Sequence, residues 1–120
     1  SWSIWEARTS KLFQSEESLH AFEDAKVAEA FARIECHYFT NRGFFDTDEW
    51  LLENVDKIRH IPAVIVQGRY DMVCPMVSAW ELHRVFPEAD FEIVPDAGHS
   101  ITEEGIASKL VEYTDKFSEL

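Results

Sequence analysis

Residues 61–75, IPAVIVQGRYDMVCP, decide how the chain is read. Ala63 to Gln67 is a short, apolar, largely β-branched run between Pro62 and Gly68, which predicts a strand buried on both faces. The strand breaks at Gly68, and an acid, Asp71, stands just past the break. Pro75 fits the first turn of a helix running to Phe86, where its missing N–H costs nothing. Phe91 to Val94 then reads as a second strand that leaves through Pro95-Asp96-Ala97-Gly98. Thr102-Glu103-Glu104 opens a last amphipathic helix along Ile106, Leu110, Tyr113 and Phe117. Strand, helix, strand, helix with short joints is a βαβα unit, so the strands should run parallel. Two strands do not make a stable parallel sheet, and further strands are expected from additional sequence or from another chain.

Upstream of Pro62 the period is helical. Trp2, Trp5, Glu6, Thr9 and Phe13 share one face at spacings of three and four. Phe22 to Phe39 predicts a longer helix whose stripe is Ala28, Phe31, Ile34, Glu35, Tyr38 and Phe39, stopped by Asn41-Arg42-Gly43. Asp48 is expected to open a short helix through Val55.

The bulk numbers narrow the function. The chain has 120 residues, enough for one domain and too few for two independent cores. Its 46% apolar content excludes a disordered acidic chain. A net charge of −12, spread throughout, argues against nucleic acid or an anionic membrane as partner. No apolar run approaches the roughly twenty residues of a membrane span, and no signal-peptide pattern opens the chain. Cys36 and Cys74 have no disulfide or metal-type spacing, so two reduced thiols in a cytoplasmic protein are expected, with Cys36 packed. His20, His37, His60 and His83 show no metal-ligand spacing, and neither a metal nor another cofactor is expected. The opening SWSIWEA lacks an initiator methionine and starts within a helical pattern, which suggests a piece of a longer protein.

In open α/β sheets, chemistry gathers beyond the carboxyl ends of the strands. The first strand ends into Asp71 and the second into His99, so neighbouring parallel strands bring the two to one edge. A carboxylate there orients an imidazole and stabilises the imidazolium. Taken singly, Asp71 would read as a loop acid capping the Pro75 helix and His99 as a solvated loop residue; the pair reverses that. Such a pair needs a nucleophile, which in the α/β-hydrolase order lies upstream in G-x-S-x-G. The glycines are Gly43, Gly68, Gly98 and Gly105, and none builds that elbow. Ser100 reads as a loop or capping residue. The chain alone is expected to be inactive.

The segments IPAVIVQGRYDMVCP, SAWELHRVFPEADFEIVPDAGHS, WSIWEA and ARIECHYF closely resemble the C-terminal part of proline iminopeptidase (prolyl aminopeptidase), an α/β-hydrolase-fold serine peptidase. The resemblance implies release of N-terminal proline from peptides, with no metal. It implies that residues 1–60 are a helical cap segment and 61–120 the C-terminal part of the hydrolase core. Asp71 and His99 match the triad acid and base, the serine and oxyanion hole belonging to the preceding half. The family's amine-binding glutamates match Glu6 and Glu35. A carboxylate among aromatics is costly unless paired, and a substrate's ammonium is such a partner; the alternative is a structural Arg or Lys, with Arg8 and Arg33 near in sequence. Cys74, three residues past Asp71, either lines the proline site or packs at the helix start.

Two rivals remain. One keeps the fold but changes the chemistry to an esterase, or to a dehalogenase or epoxide-hydrolase type with an Asp nucleophile; the inward glutamates argue against it. The other is a non-catalytic domain that self-associates through its open sheet edge.

Overall fold

The structure, a computed structural model, describes residues 2–13 and 25–119. Two strands, β1 (Val64–Gly68) and β2 (Asp90–Val94), pair in parallel, with Val64 opposite Asp90 and Gly68 opposite Val94. Between them runs a helix over Met76–Val85 that starts directly after Pro75, and a second helix over Glu104–Phe117 follows β2. The βαβα unit and its parallel strands are therefore present as expected. Helix α1 covers Trp2–Thr9, α2 Ala25–Thr40 and the short α3 Trp50–Glu53, so the two helices of the βαβα unit are α4 and α5.

Alternation along β1 sends successive side chains to opposite faces, and each face has its own small core. Ile65 and Ala63 pack with Val55, Phe86, Ala89 and Leu82. Val66 packs with Val94, Ala97 and Ile106. Gly105 lets α5 lie close to β2, because a Cβ there would sit 2.5 Å from Val94 Cγ1. The Tyr113 hydroxyl, buried on the same helix, donates to Glu92 Oε1 at 2.9 Å, and this bond with burial pushes its phenol up to about 12. Arg59 joins the turn at 55–57 to the end of α4, bonding Asp56, Glu88 and the Val85 carbonyl.

Several expectations change. Val64, Ile65 and Val66 are only half-buried, since a sheet of two strands covers neither face fully. The expected start of α2 at Phe22 lies outside the described residues. Its stripe is not a buried face: α2 has no buried residue, and Ile34 and Phe39 are 61% and 67% exposed. The elements α2 packs against, α1 and the turn at 42–44, are too small to cover it. Phe13 lies beyond the end of α1 and is exposed. Cys36, expected to pack, is exposed on that helix. Gly43 does end α2, in a tight turn where Arg42, Gly43 and Phe44 all have positive φ. The helix expected from Asp48 is shorter, one turn over Trp50–Glu53 followed by a 3₁₀ turn at Val55–Lys57. No helix among the described residues is long and apolar enough to cross a membrane.

Candidate active site

The site begins with a backbone contact that only glycine permits. A Cβ on Gly68 would lie 1.9 Å from the Gly98 carbonyl oxygen and 2.8 Å from that of Ala97. Without one, the loops leaving β1 and β2 close on each other. The Arg69 N–H donates to the Val94 carbonyl and the Tyr70 N–H to the Ala97 carbonyl, both at 2.9 Å. Asp71 and His99 are thereby carried to the same edge.

There Asp71 Oδ2 stands 3.0 Å from His99 Nδ1. An ionised carboxylate only accepts, so this bond places the proton on Nδ1 and leaves Nε2 as the basic nitrogen. Asp71 is itself fixed. Its Oδ1 accepts from the Val73 N–H at 3.0 Å and the Cys74 N–H at 2.8 Å, and its side chain is only 7% exposed. The turn-forming role and the histidine-orienting role thus coexist, one on each oxygen. The His99 side chain is 41% exposed, open to an incoming group.

Glu6 and Glu35 converge on this histidine from the helical half. A pocket of about 300 Å³ is lined by Glu6, Glu35 and His99, with Phe31, Val73 and Ile101 among its apolar walls. No lysine or arginine is among its described lining residues. Arg33, considered above as a partner for Glu35, instead pairs with Glu29 at 3.6 Å on the exposed side of α2. Glu35 accepts from the indole N–H of Trp2 at 2.9 Å, which ties α1 to α2. Glu6 Oε2 is buried without a hydrogen-bond partner. Its burial, and then the adjacent Glu35, push the Glu6 carboxyl up to about 7 against an opposing pull from His99. A buried acceptor beside a second acid, with no lysine or arginine among the described lining residues, is suited in charge to a positive group.

Cys74 is placed elsewhere. The residue lines a separate pocket with Gln67, Pro75, Ser78 and Leu82, while its N–H and carbonyl bond Asp71 and Gln67. Burial, then the charge of Asp71, push its thiol up, away from the thiolate that would make it reactive. Ser100 takes a turn role, its hydroxyl 2.9 Å from that of Thr102. Among the described residues no group of three His, Cys, Asp or Glu side chains could hold a metal ion.

Three contributors were not singled out from the sequence. Gln67, a buried polar residue one before the end of β1, donates to the Cys74 carbonyl at 3.1 Å and reaches Asp71 Oδ2 at 3.4 Å. The Ser10 carbonyl accepts from the His99 and Ser100 N–H groups at 2.9 and 2.7 Å. Glu103 binds backbone on both sides of His99. Only Gln67 left a trace in the sequence, as the single polar side chain of an otherwise apolar run.

No protein-family model matches the chain. Individual proteins do. A probable proline iminopeptidase of Leptolyngbya boryana is 60% identical over 116 residues, 97% of this chain and 36% of that protein. The proline iminopeptidase of Arabidopsis thaliana is 55% identical over 119 residues, 99% of this chain and 31% of the relative. That of Neisseria gonorrhoeae is 47% identical over 111 residues, 92% and 34% respectively. Over its own length, the chain is a homologue of proline iminopeptidases. It spans about a third of the length of the curated relatives it matches. The resemblance carried by WSIWEA, ARIECHYF and the two C-terminal segments is therefore real and runs through both the helical half and the βαβα half.

Proposed function

We propose that this chain is the C-terminal part of an α/β-hydrolase-fold serine aminopeptidase that releases N-terminal proline from peptides. Residues 1–60 would be its helical cap segment and 61–120 the end of its core. The observation that carries this reading is the convergence of Glu6 and Glu35 with the Asp71-oriented His99 on one pocket. An aminopeptidase must hold a free α-ammonium beside its catalytic base, and two acids, with no lysine or arginine among the described lining residues, supply the counter-charge. An esterase, dehalogenase or epoxide hydrolase acting on a neutral substrate gives these acids nothing to bind.

In the complete enzyme a serine from sequence outside this chain attacks the scissile carbonyl. His99 Nε2 takes its proton and returns it to the leaving amine. Asp71 keeps Nδ1 protonated and stabilises the imidazolium, and Glu6 with Glu35 fix the substrate's amino end. The chain alone, with no G-x-S-x-G, should not turn over a proline arylamide. It should also self-associate, because β1 has an unpaired edge and Ile93 is exposed; a stable micromolar monomer by sedimentation would contradict that.

Glu35→Gln in the full-length enzyme tests the reading. The substitution keeps shape and hydrogen bonding but removes charge. A charge-assisted contact is worth about 1.5–3 kcal/mol, so kcat/KM for a prolyl arylamide should fall roughly 10- to 100-fold. An ester lacking the amine should be hydrolysed nearly as before. Equal losses on both substrates would return Glu35 to a structural role.

A further inference from the structure

Glu103 occupies the residue before α5, a capping position, yet its side chain makes no capping bond to that helix. It turns outward instead. Oε1 accepts from the Gly98 N–H at 2.9 Å and the Ser100 N–H at 3.3 Å, the two residues flanking His99. Oε2 accepts from the Leu12 N–H at 3.0 Å, on the segment leaving α1. Two residues earlier, the Ser10 carbonyl accepts from His99 and Ser100. The approach is close: a Cβ on Gly98 would lie 3.0 Å from Leu12 N and 3.2 Å from Glu103 Oε1, so these neighbours would have to give by a few tenths of an ångström. One carboxylate thus binds the loop of the catalytic base and the exit of the helix that bears Glu6.

We propose that Glu103 is a positioning residue that holds helix α1, and so Glu6, in register with the His99 loop. This rests on the reading of Glu6 as part of an ammonium site. A carboxylate is suited to the task because both oxygens only accept, and all three partners are N–H donors. In Glu103→Gln the amide oxygen settles where two donors converge, at Gly98 and Ser100. The amide NH₂ then faces the Leu12 N–H, donor against donor. The substitution therefore spares the His99 loop and removes one tie on the exit of α1, the two N–H bonds to the Ser10 carbonyl remaining.

The test uses the full-length enzyme and two substrates, a prolyl arylamide and an aryl ester without an amine. Glu103→Gln should lower kcat/KM on the arylamide roughly tenfold, the scale expected when a remote change misplaces a binding group, and leave the ester within about twofold. In a Glu6→Gln background the same substitution should add little, because residues acting through one another are not additive. If Glu6→Gln discriminates between the substrates but Glu103→Gln lowers both alike, or neither, Glu103 only supports the fold and the proposal is overturned. If Glu6→Gln itself lowers both alike, the ammonium site falls and the proposal with it. Should Glu103→Gln not fold, Glu103→Asp, which keeps the charge on a shorter arm, takes the same two-substrate test. Equal losses there, or failure of that variant to fold, overturn the proposal equally.

Discussion

The two halves of the chain hold their site residues by different means. In the βαβα half, Asp71 and His99 sit on short loops zipped by backbone bonds, with a carbonyl of one loop filling the space where a Gly68 side chain would be. In the helical half, Glu6 and Glu35 sit on two helices whose apolar faces are largely exposed. The contacts that hold these helices include an indole N–H on Glu35, the Ser10 carbonyl, and the Glu103 carboxylate on Leu12. On the proposed reading, the Asp71–His99 pair is built into the sheet edge, whereas the two glutamates are held over it from the helical half. Disturbing the first should cost chemistry or folding, and disturbing the second should cost selectivity.

The largest effect should come from the centre of the rigid half. Asp71→Asn in the full-length enzyme keeps the turn bonds to Val73 and Cys74 within reach, but its amide cannot hold Nδ1 in the protonated form. Turnover of a prolyl arylamide and of an ester should both fall about 10⁴-fold, the loss typical when a triad acid becomes an amide. Steady-state kinetics on both substrates would check this. Near-normal rates would remove Asp71 from the mechanism and level the two halves.

Next in size is Gly68→Ala. The added methyl meets backbone oxygen at 1.9 Å, and backbone cannot swing aside as a side-chain tip can. The loss of stability should reach about 3 kcal/mol or more, at the upper end for overpacking. Urea unfolding of the full-length variant would measure it. A loss below about 1 kcal/mol would mean that the loops have slack, and that the contrast with the helical half is weaker than the geometry indicates.

The same contrast governs what was legible in the sequence. The βαβα half could be read because its signals are local: a β-branched run ended by glycine, proline opening a helix, and an acid and a histidine one step past the strand ends. Asp71 and His99 followed from topology alone. Glu6 and Glu35 could be placed on helix faces, but the face was misjudged as buried, since α2's neighbours are too small to cover it. Glu103 and the Ser10 carbonyl were invisible. Their partners lie across the chain, Glu103 reaching Leu12, and nothing in Thr102-Glu103-Glu104 distinguishes a helix start from a clamp. The positive φ of Arg42 and Phe44 was equally hidden, for only Gly43 between them is a residue type that favours such backbone.

The smallest expected effect is also the one that probes the helical half most directly. Glu6 holds its proton up to about 7, raised by burial and by Glu35. An ammonium at the site favours the ionised acid, so binding must first remove that proton. The ratio of kcat/KM for the prolyl arylamide to that for the amine-free ester should therefore rise with pH, by up to roughly tenfold per unit below pH 7. It should turn down again once the substrate's own ammonium, with an ordinary pKa of about 8, loses its proton. Taking the ratio cancels His99, which serves both substrates. Stability runs the opposite way. The folded-state value lies above the ordinary 4.5, so the contribution of Glu6 is fully present below about 4.5 and is lost as pH rises through about 7. Glu6→Gln should flatten the substrate ratio across this window and remove that slope from the thermal midpoint. A ratio that stays pH-dependent there in Glu6→Gln would assign the titration to another group. A flat ratio there in the unmodified enzyme would mean that Glu6 does not meet the substrate's ammonium.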